Sequence, residues 1–498
     1  MPKVFKNLIG GKEKDAVSGR TFENRNPADW NEVVGIFPKS DKRDVDAAVD
    51  AAKQAYREWS LYPAPRRGDI VKKAGDIMVA RKEELAREMT REMGKVLVET
   101  RGDVQEGIDT AYYSASEGRR MFGVTAPSEL QNKFTMSMRV SVGVAGVISP
   151  WNFPMAIPTW KIFPALVSGD TIVFKPASDT PKTAATLVEI LVEAGVPAGV
   201  LNIVHGGGNE VGMAIVEHED VELISFTGST AVGKKISEIA SRSLKRVSLE
   251  LGGKNAEIVM DDANLELALD GILWGAFGTT GQRCTATSRL ILHEKIYDKF
   301  LDMLAERASR LKLGNGLDES VEVGPCVNES QREKVHSYTE IGKKEGARLV
   351  IGGEFAKGGD LDKGWFYKPT IFAEVTPNMT IAIEEIFGPV LSVMKAKSID
   401  HAIELLNGTI YGLSSAVYTR NINHAFKAIR DIKAGITYIN APTIGAETHM
   451  PFGGVKQTGN GHREGGASAF EFFSEIKTVY VDYSDKLQRA QIDTYRNS

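Results

Sequence analysis

Cysteine is almost missing from this chain: its 498 residues include 2, Cys284 and Cys326. Two thiols cannot staple a secreted scaffold, and no zinc site can rest on thiolates alone. Neither sign of charge is in excess. Lys plus Arg number 61 against 65 Asp plus Glu, a net charge of −4, whereas a nucleic-acid binder needs a basic surplus to neutralise phosphates. The 8 histidines occur singly, without His-x-His or His-Glu-x-x-His spacing, so no metal site is expected. The N-terminus, MPKVFKNLIGGKEKD, lacks the apolar stretch of a secretory signal. The uncharged run from Val140 to Trp160 could span a bilayer by length. It carries three prolines, an Asn and two serines, however, which a lipid-exposed helix tolerates poorly. A buried strand running into a loop, in a cytoplasmic protein, is the expectation.

What is present is an ordinary globular mix of 42% hydrophobic and 25% charged residues with 49 glycines, sufficient for a large core. At about 150 residues per domain the length suggests about three domains, or two large ones. The first 120 residues read as helical: Val45, Ala48, Val49, Ala52 and Tyr56 fall on one helix face. Lys82 to Gly107, dense in Glu, Arg and Lys, reads as solvated helix. Met136, Met138, Val140, Val142 and Val144 alternate with Ser137, Arg139, Ser141 and Gly143, the period of a strand. From residue 170 strands (TIVFKP, VLNIVHG, ELISFTGS, RVSLELGG) are separated by helices, and a second series begins after Asp262. That alternation predicts parallel βαβ crossovers in two doubly wound α/β domains joined near residues 252–262. From Ser484 the chain is polar, as in a frayed or docking tail.

Two glycine-rich turns invite a nucleotide. Gly228-Ser-Thr-Ala-Val-Gly233-Lys234-Lys235 nearly matches a P-loop, but Lys235 stands where Ser or Thr must hold Mg²⁺. The turn still offers free N–H groups at a helix N-terminus to a phosphate. Gly206-Gly207-Gly208-Asn-Glu-Val-Gly212 has one residue too many for the dinucleotide fingerprint G-x-G-x-x-G and reads as a structural turn. Cys284 lies among small and polar neighbours beside Gly281 and Arg283, a cationic setting that favours the thiolate. Cys326, among apolar neighbours, reads as a small buried hydrophobe. Glu250 ends an apolar strand before two glycines; it is either a satisfied strand-end carboxylate or a base placed in a cleft.

Seven motifs then fall in one order: Ser149-Pro-Trp151-Asn152-Phe153-Pro154, Lys175-Pro176, Phe226-Thr-Gly228-Ser229, Glu250-Leu-Gly-Gly253, Gly281-Gln-Arg-Cys284, Glu385-Ile-Phe387-Gly-Pro and Pro451-Phe452-Gly-Gly454. Together the chain resembles the NAD(P)-dependent aldehyde dehydrogenase superfamily, most of all bacterial 2-oxoglutarate semialdehyde dehydrogenases. The resemblance implies two doubly wound domains plus a small β oligomerisation arm. Residues 1–122 and 144–252 would bind the cofactor, 253–452 would be catalytic, and 123–143 with 474–498 would form the arm and tail. It implies Cys284 as nucleophile, Asn152 with the Cys284 N–H as oxyanion hole, and Glu250 as the base that activates water against a thioester. Trp151, Lys175, Ser178, Gly228, Ser229, Glu385 and Phe387 would contact NAD or NADP. Ser178 replaces a Glu of strictly NAD-dependent relatives, so NADP is expected to be accepted, with the preference between NADP and NAD left open. Phe153, Ile157, Trp160, Arg283 and Phe452 would line the substrate tunnel, with Arg283 offering a cation to an acidic aldehyde. The strands Thr135 to Val144 and Thr478 to Tyr483 resemble oligomerisation arms, which implies a homo-oligomer, dimer or tetramer. The competing readings are a P-loop-like nucleotide hydrolase and a catalytically idle family member used as a structural or binding protein.

Overall fold

Two seven-stranded sheets carry the molecule. The computed structural model describes residues 2–492; Met1 and the end of the expected tail, 493–498, lie outside the described residues. In the first sheet Arg246–Glu250, Leu223–Thr227, Val144–Ile148, Thr171–Lys175 and Leu201–Ile203 run parallel in that spatial order. VAGVI and TIVFK are buried at every position, because helices cover both faces of such a sheet and leave no polar side. The crossover helix Pro181–Ala194 starts with Pro in its first turn and ends at Gly195, whose φ of 114° a side chain would resist. In the second sheet Thr370–Ala373, Val390–Ala396, Arg289–His293, Ala256–Val259, Ser414–Tyr418 and Ile436–Ile439 are parallel neighbours. The α/β class is thus as the sequence predicts, but each sheet is mixed. Asn7–Ile9 joins the first antiparallel, and Arg348–Ile351 joins the second the same way.

A third sheet pairs Lys133–Ser141 with Ser474–Asp482 along their whole lengths, from Ser141 opposite Ser474 to Lys133 opposite Asp482. Ile476, Tyr480 and Tyr483 are exposed on it. The chain between 453 and 473 returns to the first sheet: Gly459 bridges Glu250, and the helix Gly466–Phe472 packs Ala469, Phe470 and Phe472 into the core beneath it.

Two expectations need correction. The first 38 residues form strands, not helix: Asn7–Ile9, Lys12–Lys14, Thr21–Asn26 and Asp29–Pro38 precede the first helix, Lys42–Trp59. Nor is Lys82 to Gly107 a wholly solvated stretch. Lys95 and Asp103 are completely buried as an ion pair at 2.7 Å, and Glu92 accepts from the N–H groups of Lys182 and Thr183, the first turn of Pro181–Ala194. Mutual neutralisation and N–H donors offset the cost of desolvating these charges. Among the described residues no helix is long and apolar enough to cross a membrane. The run from Val140 to Trp160 divides into the end of the strand Lys133–Ser141, the buried strand Val144–Ile148, a loop, and the start of the buried helix Ala156–Ser168, so the strand expected to continue to Val144 breaks after Ser141.

Candidate active site

Four adjacent parallel strands end along one edge, with Ile148 level with Lys175 and Thr227 level with Glu250. The carboxyl edge of such a sheet is where loops can converge on a ligand. Trp151 and Asn152 follow the strand Val144–Ile148, and Gly228 and Ser229 follow Leu223–Thr227. Glu250 closes the fourth strand.

Facing this edge is the loop that carries Cys284. Thr279, Thr280 and Gly281 lie in succession at positive φ, 52°, 57° and 66°, a left-handed run that two of these residue types resist. It persists because the surroundings fix it. Glu99 accepts from the Thr279 N–H, Thr280 Oγ1 donates to the Gly324 carbonyl, and Gln282 spans Pro325 and Val327. At Gly281 a Cβ would stand 2.2 Å from the Gly388 carbonyl oxygen, so only glycine fits. The Cys284 carbonyl in turn accepts from Asn255 Nδ2 at 2.8 Å.

Cys284 sits between two cavities and lines both. The expected thiolate-favouring setting is not found. Burial, with the Glu250 and Glu385 carboxylates, pushes the thiol up to about 12. Arg283 does not counter this, since its guanidinium donates to Glu99 at 2.9 Å and to Thr279 Oγ1 at 2.8 Å. Cys326 is fully buried, as its neighbours suggested.

The first cavity, about 180 Å³, is walled by Trp151, Asn152, Gly228, Ser229, Glu385 and Phe387 together with Cys284. Ser229 caps the helix Thr230–Ser241, which turns its N-terminal N–H groups to this edge. Phe387 stands edge-on to Trp151 with centroids 5.3 Å apart. Glu385 Oε1 accepts from the Gly253 N–H at 2.8 Å, and a Cβ on Gly252 would meet Glu385 Oε2 at 2.5 Å. Thr227 Oγ1 is buried at the junction with no partner. A phosphate-facing helix end, a carboxylate with a free oxygen and an orphaned hydroxyl fit a dinucleotide's phosphates and ribose hydroxyls. Lys175 and Ser178 do not line this cavity. They follow the neighbouring strand, where Lys175 Nζ donates to the Pro176 carbonyl and Ser178 Oγ to that of Gly206. Burial lowers Lys175 to about 8. Asp179, which follows Ser178, is a partly buried carboxylate that accepts from Asn328 Nδ2 at 2.8 Å. Lys234 reaches Gln457 and Lys235 is exposed, so the P-loop reading gains no support here.

The second cavity, about 120 Å³, collects Phe153, Ile157, Trp160, Arg283 and Phe452, with Glu250 and Cys284. Trp160 packs edge-on to Phe452 at 4.8 Å, and Arg283 lies 5.4 Å from the Phe153 ring centroid. Glu250 is buried with both carboxylate oxygens unpartnered. Burial first, then the neighbouring Glu464, drives its pKa well above the carboxylate range, while Lys161 and Arg463 oppose this. Lys161, wholly buried, pairs with Glu464 and donates to Ser225 Oγ at 3.1 Å. Asn152, also buried, has no side-chain hydrogen bond among the described residues.

Sequence reasoning missed Glu106, Trp274 and Glu464 on this wall. Glu464 follows the Pro451-Phe452-Gly-Gly454 motif by ten residues and pairs with Phe452 across an antiparallel bridge, so its spacing was a usable signal. Glu106 sat in the stretch read as solvated. Among the described residues no group of three or more His, Cys, Asp or Glu side chains is placed to hold a metal.

The family model described as "Aldehyde dehydrogenase family" matches residues 14–479. The chain is 45% identical over 478 residues to an alpha-ketoglutaric semialdehyde dehydrogenase of Bacillus subtilis, covering 96% of this chain and 98% of that one. It is 42% identical over 466 residues to a 2,5-dioxopentanoate dehydrogenase of Saccharolobus solfataricus, with 93% and 96% covered. Among solved structures it matches a betaine aldehyde dehydrogenase of Staphylococcus aureus in complex with NAD+, TM-score 0.94 at 35% identity, over 97% and 95% of the two chains.

Proposed function

This chain belongs to the aldehyde dehydrogenase family, and we propose that it oxidises an aldehyde to the carboxylic acid through a covalent bond to Cys284, with NAD(P)+ in the first cavity. The observation that carries this reading is Cys284 at the junction of two cavities, one that holds Glu385 and the Ser229 helix cap and suits a dinucleotide, the other aromatic-walled and suited to an aldehyde.

The thiol, held protonated, gives up its proton as sulfur attacks the aldehyde carbon. Glu250 is the base for this: it lines the same cavity as the thiol, both its carboxylate oxygens are unpartnered, and its raised pKa suits it to take a proton. The unpartnered Asn152 amide and the Cys284 N–H donate to the oxygen that becomes anionic in the thiohemiacetal. NAD(P)+ bound beside them supplies the acceptor for hydride. Once Glu250 has passed the thiol's proton to solvent, it takes a proton from water, whose oxygen attacks the carbonyl carbon of the resulting thioester; the Cys284 sulfur leaves and recovers a proton from Glu250. Phe153, Ile157, Trp160 and Phe452 hold the aldehyde and exclude bulk water from this step.

For the substrate we favour an acidic semialdehyde, because relatives at 42–45% identity are named for one and Arg283 lines the aldehyde cavity. For the cofactor, Lys175 and Ser178 would hold the adenine ribose, and the absence of a carboxylate at 178 leaves room for a 2′-phosphate, so NADP is accepted alongside NAD. The first sheet, with residues 1–122 and 144–252, would be the cofactor-binding domain, 253–452 the catalytic one, and 123–143 with 474–498 the arm. Exposed Ile476 and Tyr480 on that arm support a homo-oligomer, dimer or tetramer. Two free thiols suit a reducing cytoplasm.

The test follows reduced-cofactor absorbance with a panel of aldehydes and both cofactors, beside Cys284→Ala. Reduction that the substitution abolishes is expected; no reduction with any aldehyde would overturn the reading.

A further inference from the structure

Glu106 has no use in the chemistry above. It stands on the helix Leu97–Glu117 and faces the aldehyde cavity beside Phe153, Trp274 and Arg283. Among the described residues nothing hydrogen-bonds to its carboxyl group. Desolvating a carboxyl that no protein group satisfies lowers stability. A ligand that satisfies it recovers that cost, and the cavity it faces is where the aldehyde lies.

We infer that Glu106 selects substrates by charge: as the acid it donates to a carboxylate at the substrate's far end beside Arg283, and once ionised it repels that carboxylate. This rests on the reading of the substrate as an acidic semialdehyde. Arg283 is suited to share the task, because its Nε and Nη2 are committed to Thr279 and Glu99 while Nη1 has no protein partner.

The charges around Glu106 come from several elements. Burial, then Asp103 and Asp109 on its own helix, raise its pKa; Lys95 from the preceding segment and Arg283 from the nucleophile loop lower it, and the proton is held to about 8. Lys95 is paired with Asp103 and Arg283 with Glu99, which weakens the pull of either cation on Glu106. Glu250 and Glu464 share the cavity, and Tyr438 feels the Glu106 charge. An anionic substrate therefore meets a proton donor at pH 7 and an added negative charge at pH 9.

The experiment measures kcat/KM between pH 6.5 and 9 for a short aldehyde ending in a carboxylate and for its methyl-ended counterpart. Taking the ratio cancels the titrations of Cys284 and Glu250. In the wild type the acidic-to-neutral ratio should fall about tenfold across that range, as a like charge appears a few ångströms from the substrate's carboxylate. In Glu106→Gln the ratio should be flat with pH, and Glu106→Asp should restore the fall. A ratio that is already flat in the wild type, or that falls equally in Glu106→Gln, overturns the inference. A wild type that prefers the methyl-ended aldehyde at pH 6.5 would instead sink the semialdehyde reading. Glu106 is judged apart from that, by whether the pH slope of the ratio vanishes in Glu106→Gln.

Discussion

Arg283 donates to Glu99 over 2.9 Å, and the same carboxylate accepts from the Thr279 N–H at the left-handed turn before Cys284. The cation beside Cys284 is thus a fastening for its loop. Removing the carboxylate in Glu99→Ala leaves a largely buried guanidinium unpaired and an N–H without its acceptor. A cost of about 3 kcal/mol is expected, seen as a lowered Tm with accelerated proteolysis around residues 279–284. An unchanged Tm would mean that the pair holds nothing.

Gly453 is the close neighbour of Glu250. A Cβ there would lie 2.5 Å from Glu250 Oε1, on a backbone with φ of 146°. Gly453→Ala should displace the carboxylate and lower kcat about tenfold or more, by the loss typical of a misplaced general base. Wild-type turnover in this variant would show that Glu250 is not used where it stands.

Cofactor choice is tested at Ser178. In Ser178→Glu a carboxylate would face a 2′-phosphate, and the NADP-to-NAD ratio of kcat/KM should drop about tenfold or more. If the ratio does not move, Ser178 does not face that phosphate.

The thiol makes a prediction about pH. With Cys284 pushed up to about 12, its thiolate fraction in the ligand-free enzyme keeps growing well past neutrality. Alkylation by iodoacetamide should therefore rise about tenfold per pH unit from 7 to 10. A plateau near pH 8 would indicate an ordinary or activated thiol.

Much of this was legible from periodicity. Helix and strand alternation after residue 170 predicts most of the parallel core of both sheets, Val144–Ile148 apart, since buried parallel strands leave short apolar runs that are hard to misread. The N-terminal strands escaped because NLI and KEK are too short and too polar to carry a period. Asn7–Ile9 is held by pairing with Leu201–Ile203, nearly 200 positions away. Cys284, Asn152 and Glu250 could be read from motifs, but their electrostatics could not. Arg283 adjoins Cys284 in sequence yet spends its charge on Glu99, whereas Glu385, a hundred residues on, raises the thiol. Glu106 and Lys95 lay hidden among charges that are mostly exposed: the packing of helix Leu97–Glu117 turns Glu106 to the cavity, and Asp103 of that helix draws Lys95 inward from the segment before it.

In the proposed reaction Glu250 serves the hydrolysis of an acyl group carried by Cys284. Rapid mixing of Glu250→Gln with saturating aldehyde and cofactor tests it most directly, above pH 9, where hydroxide helps the thiol ionise without that base. A burst of reduced cofactor approaching one equivalent per chain is expected, with slow turnover after it and acyl mass on the peptide that contains Cys284. Steady turnover at the wild-type rate with no acyl mass on that peptide would contradict it.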